Sequence, residues 1–307
     1  MSYKTDPITK QVQKYLPPKY RLNNRTNPEE YFITIDRYKI HIDHYKTTNP
    51  KATVVMFHGV GGNGRLLSCM AIPLSKNGFE VICPDLPLYG YTEYEGKIDY
   101  QTWVCCGIEI VKYYQQTGCS DIFLFGLSAG GMLAYQVACE FKNISGILVS
   151  CILDQRDMEI TKKTASNWLV AATGKPLMSI LQKFIGDVKV PMKILGNMKA
   201  ITNNKKLAKL LMHDKKSSGV SVPIRFVYSM LTPEIKTEPE QFHSCPFFLV
   251  HPGEDRWTDI SLSRKFYDRL ACEKEILILK GAGHFPIEES GLQQLETACV
   301  SFLNKHI

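Results

Sequence analysis

Three side chains in this sequence have types and spacing that could together activate a hydroxyl group. Ser128 lies in G-L-S-A-G, residues 126–130, directly after the apolar run IFLF and at the head of the helix-like stretch GMLAYQVA. A serine between a strand and a helix, with Gly126 and Gly130 clearing the sharp turn, is placed to project as a nucleophile, and the helix N-terminus behind it favours negative charge. The same residues would also serve as a plain helix start with Ser128 as its cap. A hydroxyl is a weak nucleophile and needs a neighbouring base. Of the eight histidines, His284 in GAGHFPIEE follows the apolar run EILILK, so its loop leaves a strand end, where open α/β sheets gather their ligands. The base in turn needs a carboxylate on its other nitrogen to set its tautomer. Asp255 in HPGEDRWTD follows the run PFFLV and is the expected acid. Glu254 and Asp259 are its rivals, Asp259 reading better as the cap of the next helix.

A nucleophile of this kind generates an oxyanion, which requires two backbone N–H donors. The residue after the serine, Ala129, supplies one. The stretch F-H-G-V-G-G at residues 57–62 supplies the other, from Val60 with Gly61 as alternate, its glycines letting backbone approach a substrate. His58 in the same stretch reads as a brace for the loop rather than as the base. Such chemistry calls for no metal and no organic cofactor.

The elements that would carry these residues alternate. YFITIDRYKIHIDHY (31–45) has the apolar–polar alternation of a hairpin, and continuous apolar runs at 52–57, 79–85, 121–126 and 144–151 read as buried strands separated by helical stretches. Residues 1–30, with Pro17, Pro18 and Pro28, read as an irregular leader. After residue 152 the strand rhythm stops, and NWLVAA, MSILQKFI, NNKKLAKLLM and IRFVYSML read as separate amphipathic helices; it resumes with CPFFLVHPGED and EILILKGAGH. The expected architecture is therefore α/β, a mostly parallel central sheet with helices on both faces and an inserted helical cap. Residues 1–151 and 241–307 form the core and 152–240 the insertion.

Composition narrows the partners. Residues 152–240 hold 13 Lys and 2 Arg against 8 Asp and Glu, a surplus of seven that equals the whole chain's net charge of +7. No nucleic-acid motif accompanies it, so nucleic acid is not an expected partner. On the stretch 203–216 the lysines 205, 206 and 209 interleave with Leu207, Leu210 and Leu211. Such a basic amphipathic helix is a candidate for weak association with an anionic membrane surface, the alternative being that its leucines pack inward. No apolar run is long enough to span a bilayer and the N-terminal stretch lacks the apolar core of a signal peptide, so the expected location is cytoplasmic. The ten cysteines, several of them in apolar runs, then read as small buried hydrophobes.

FHGVGG, GLSAGG, HPGEDRW and GAGHF, in this order, resemble the α/β-hydrolase superfamily, and the insertion makes the chain most similar to its monoglyceride lipase and lysophospholipase-like branch, the serine aminopeptidase S33 group. The resemblance covers about residues 38–151 and 243–305. It implies a Ser128–His284–Asp255 triad, an oxyanion hole at Val60 and Ala129, and hydrolysis of small-molecule carboxylic esters of medium or long, lipid-like acyl chains through an acyl-enzyme. A thioesterase or acyltransferase would use the same triad. A peptidase of this branch would hold its substrate's amino terminus in an acidic pocket, which the positive insertion disfavours. A binding protein without turnover would keep the fold alone.

Overall fold

The computed structural model describes residues 2–119 and 121–307, with 168–173 described by their backbone alone. The apolar runs form strands where their side chains can be buried on both faces. In chain order these are β1 (Glu29–Ile35), β2 (Tyr38–Tyr45), β3 (Thr53–Phe57), β4 (Glu80–Pro84), β5 (Ile122–Gly126), β6 (Ile144–Val149), β7 (Lys189–Pro191), β8 (Ser221–Pro223), β9 (Phe247–Pro252) and β10 (Lys274–Leu279). All of these but β7 and β8 join one eight-stranded sheet in the order β1-β2-β4-β3-β5-β6-β9-β10. The hairpin β1–β2 and the β2–β4 pair are antiparallel; from β4 to β10 every pair is parallel. The central strands β3, β5 and β9 are buried along their whole length, as a sheet covered on both faces demands.

The helices are α1 (Pro7–Gln13), α2 (Ser68–Lys76), α3 (Tyr100–Gln116), α4 (Ala129–Ala138), α5 (Met158–Thr164), α6 (Trp168–Ile185), α7 (Met192–Leu195), α8 (Lys205–His213), α9 (Ile224–Leu231), α10 (Ile260–Tyr267) and α11 (Glu289–Lys305). With the parallel sheet and its crossover helices, this is the α/β-hydrolase arrangement that the sequence led us to expect.

The leader differs from the irregular stretch expected of it. Asp6 accepts a hydrogen bond from Ile8 N–H and Pro7 occupies the first turn, so α1 forms. Tyr3, Leu16 and Tyr20 are buried. The Tyr3 hydroxyl donates to Asp85 Oδ2 over 2.9 Å, and Glu30 accepts from Tyr3 N–H and pairs with Arg65 at 3.0 Å. The Arg65 guanidinium also grips both oxygens of the buried Asp43. Prolines suggested an irregular segment; the buried polar partners that fix it lie far off in the chain.

Between β6 and β9 the chain leaves the sheet. MSILQKFI and the stretch before it belong to one helix, α6, which runs through Pro176; the side chains of 168–173 in NWLVAA lie outside the described residues. Two features here had no signal in the sequence: the short α5 and the antiparallel pair β7–β8. On α8 the leucines 207 and 211 are fully buried while Lys205, Lys206 and Lys209 face solvent. The exposed apolar face is on α6 instead, where Leu177, Ile180, Phe184 and Ile185 are all exposed and Phe184 keeps 82% of its surface.

Arg65 neutralises Asp43 and Glu30 inside the fold, so Arg65→Met should leave buried carboxylates without their cation and cost about 3–5 kcal/mol. Urea unfolding of the variant against the natural protein measures this, and a loss under about 1 kcal/mol would show that His41, which sits 3.4 Å from Glu30, carries the compensation instead.

Candidate active site

The nucleophile turn begins where β5 ends. Ser128 has φ 56° and ψ −125°, a left-handed conformation for a residue with a side chain, and strain of this kind costs about 1–3 kcal/mol. The surrounding packing holds it there. A Cβ on Gly126 would lie 2.2 Å from the carbonyl oxygen of Gly130, and one on Gly130 would lie 2.2 Å from that of Phe57. Only glycine lets α4 start so close to β3 and β5. Leu127 N–H donates to Phe57 O and Ser128 N–H to Ser150 Oγ, each at 3.0 Å, which ties the turn to β3 and to the end of β6. Ser128 is half-buried, and its side chain makes no cap bond to α4, so the helix-cap alternative does not describe it.

His284, 3% exposed, lies on the loop after β10. Its Nδ1 is 2.7 Å from Asp255 Oδ2. Asp255 accepts two backbone N–H bonds on its other oxygen, from Trp257 at 2.8 Å and Thr258 at 2.9 Å, and the Thr258 hydroxyl donates to Oδ2 at 2.7 Å. Burial alone would push this carboxyl up. The attraction of His284, its hydrogen bond and the Thr258 donors outweigh burial and hold it at about 2. An ionised Asp255 is an acceptor only, so Nδ1 is the nitrogen that carries a proton, and in the neutral ring it is Nε2 that presents its lone pair. Nε2 is buried and has no hydrogen-bond partner among the described residues. His284 and Ser128 line one small cavity with Val60, Gly61 and His58. No hydrogen bond joins Ser128 and His284 among the described residues; such contacts often tighten only in the substrate complex.

The loop after β3 completes the cluster. A Cβ on Gly59 would fall 2.7 Å from Ser128 Cβ and 3.1 Å from Ala129 N, so backbone 59–61 lies against the nucleophile turn. The N–H groups of Val60 and Ala129 make no hydrogen bond among the described residues, and both residues line a cavity of about 170 Å³ that also contains Ser128. His58 uses both ring nitrogens on backbone, Nδ1 to Gly59 O at 2.8 Å and Nε2 from Leu86 N–H at 3.0 Å. Burial lowers it to about 4. It is a neutral brace between two loops.

Of the two rival acids, Asp259 caps α10 by accepting from Ser261 N–H, and Glu254 is exposed. Sequence reasoning missed three contributors. Thr258 lies 3.2 Å from His284 Nδ1 as well as on Asp255. The Trp257 ring packs on the His284 ring with centroids 4.8 Å apart. Ser150 holds the turn. The spacing D-x-x-T was a legible turn signal; nothing local marked Ser150.

A family model described as serine aminopeptidase, S33 matches residues 48–291. No curated protein sequence is a significant match. Among solved structures, a soluble variant of monoglyceride lipase from Saccharomyces cerevisiae in complex with a substrate analogue is similar over 95% of this chain and 98% of its own, at TM-score 0.75 and 20% identity. The Paleococcus ferrophilus monoacylglycerol lipase covers 87% and 99% at TM-score 0.65 and 21% identity. A thermostable carboxyl esterase from Bacillus coagulans in complex with glycerol covers 91% and 98% at TM-score 0.68 and 17% identity. At these identities the likeness is one of fold.

Asp255 is held below the value of about 3.9 that a free aspartate has, so its ionised form stabilises the fold. That contribution is present above about pH 4 and disappears as the pH falls through about 2. The stability gap between the natural protein and Asp255→Asn should therefore be about 2–3 kcal/mol at neutral pH and close between pH 4 and 2. Denaturant unfolding across that range measures the gap; a gap that widens on acidification would contradict the assignment of the charge.

Proposed function

The chain belongs to the serine aminopeptidase S33 family of hydrolases, and on that premise we propose that it is a serine esterase cleaving carboxylic esters of apolar, lipid-like acyl chains. The observation that carries this reading is the cavity at Ser128. Met132, Met178, Met192, Met230, Leu195 and Leu231 are among its lining, and among the described lining residues there is no Asp or Glu. An apolar wall suits an acyl chain. A free amino terminus would require a carboxylate there to hold its ammonium, so the cavity favours esters over peptides.

The reaction runs in two halves. Ser128 Oγ attacks the acyl carbonyl carbon as His284 Nε2 takes its proton. Asp255 keeps the imidazolium oriented, and the N–H groups of Val60 and Ala129 hold the oxyanion. The C–O bond to the leaving alcohol breaks and Nε2 delivers the proton to that oxygen. Water then gives a proton to Nε2 and its oxygen to the acyl carbon, and the acid leaves as Ser128 Oγ recovers the proton. The strained Ser128 backbone and the two unbonded N–H groups support these roles because they pre-orient donors and nucleophile without cost at the moment of reaction.

A lipid-like substrate raises the question of where the protein meets its source. With Leu207 and Leu211 buried, α8 offers an anionic membrane its lysines but no apolar face. The exposed row Leu177, Ile180, Phe184 on α6, with Leu177 also lining the cavity, offers both an apolar face and a path inward.

Two outcomes test these readings. Ser128→Ala and His284→Ala should each lower p-nitrophenyl ester turnover by about 10⁶-fold and Asp255→Asn by about 10⁴-fold, and Ser128→Ala should no longer be labelled by a fluorophosphonate. A folded Ser128→Ala protein with near-normal turnover refutes the mechanism, and a natural protein that neither turns over nor is labelled is a binding protein. Anionic vesicles at low salt should sediment the protein and release it at high salt, each nearby lysine contributing about 1 kcal/mol. Ile180→Glu with Phe184→Glu should abolish this, and vesicle binding indifferent to that pair would return the contact to α8.

A further inference from the structure

The cavity at Ser128 is apolar except on one side. Among its described lining residues one side chain is charged, Lys175 of α6. It is half-buried. Its Nζ donates to the backbone oxygen of Gln155 at 3.3 Å, and no carboxylate among the described residues forms an ion pair with it. Arg65 meets Asp43, Arg156 meets Asp154 and Glu238, and Lys216 meets Asp6; Arg21 and Lys274, also half-buried, are held by backbone carbonyls, but neither lines the cavity. A cation beside an apolar cavity without an acid is costly to keep unless something supplies the charge.

Its place within the cavity gives that something a position. Gln155 O also accepts from the Thr161 hydroxyl at 2.9 Å, and the Gln155 amide lies 3.4 Å from Thr164 Oγ1. Thr164 O accepts from Trp257 Nε1 at 3.1 Å, and Trp257 packs on His284. Lys175 is therefore linked, contact by contact, to the histidine's side of the site. The lining from α4 and α9, Met132, Val227, Met230 and Leu231, is apolar and takes no part in that chain of contacts. A base that protonates the leaving oxygen must have the leaving group beside it. The acyl chain then falls to the methionine and leucine side, and the leaving alcohol to the side of Thr161, Thr164 and Lys175.

We propose that the substrate's leaving group carries an anionic oxygen group, a phosphate or a carboxylate, and that Lys175 is the residue that selects it. This rests on the esterase reading above. An ammonium on a flexible stem suits either anion as a point charge and does not require the paired geometry of a guanidinium.

The test compares three esters with the same acyl chain: an acylglycerol phosphate, an acylglycerate and the uncharged acylglycerol. The natural protein should favour one or both anions in kcat/KM. Lys175→Met should lower the ratio of charged to uncharged kcat/KM roughly ten- to hundredfold, mostly through KM, while Lys175→Arg retains most of it. Circular dichroism checks that each variant is folded. Which anion shows the larger loss identifies the group. A natural protein that does not distinguish the three esters, or a Lys175→Met protein with an unchanged ratio, overturns the inference and leaves the esterase reading intact. No hydrolysis of any of them that depends on Ser128 overturns both.

Discussion

Everything at the site depends on how closely α4 is pressed against the end of β3. The carbonyl of Phe57 stands where a Cβ on residue 130 would be, and the carbonyl of Gly130 where one on residue 126 would be. With no side chains in between, the chain must reverse in a single residue, and that residue is Ser128, forced to positive φ. The strain is local, and the burial of β3 and β5 over-determines it. Because the same approach sets the loop 59–61 against Ala129, Ser128 and the N–H groups of Val60 and Ala129 are positioned by one packing contact rather than by two independent loops.

Asp255 and His284 are held by a different device. Asp255 is surrounded by donors from its own loop, two N–H groups and the Thr258 hydroxyl, before His284 approaches it. A carboxylate so held stays charged although buried, and its charge determines which ring nitrogen keeps the proton. The strands β9 and β10 lie side by side and parallel, so the loops leaving them open at the same edge of the sheet, the edge at which β5 delivers Ser128. This is the ordinary reason that open parallel sheets bind ligands at the carboxyl ends of their strands.

The leader and the insertion close the structure around that edge. Asp85, at the end of β4, accepts from Gly64 N–H of the loop after β3, from Tyr91 N–H, and from the Tyr3 hydroxyl. Lys216 of the insertion reaches Asp6 of the leader at 2.9 Å. The loop that carries Val60 is thus braced from outside by residues near both the start and the two-thirds point of the chain. The insertion supplies most of the cavity wall, including the one charged side chain among its described lining residues, Lys175.

What could be read from the sequence was what is local and periodic. Continuous apolar runs identified the buried strands, because a strand covered on both faces has no polar side to show. G-L-S-A-G after such a run marked the turn, because only glycine tolerates the close approach there. The fold class followed from the alternation of these runs with helices. The tertiary structure decided the rest, and the reason is the same each time: partners distant in sequence. The leader is ordered by Asp85 and Arg65, which its own prolines do not announce. Ser150 matters through the Ser128 N–H, 22 residues away, and the second contact of Thr258 is with His284, 26 residues away. Leu207 and Leu211 of α8 turned inward and Leu177, Ile180 and Phe184 of α6 outward, although both stretches have helical periodicity, because periodicity states that a helix has an apolar face and only packing states what that face meets.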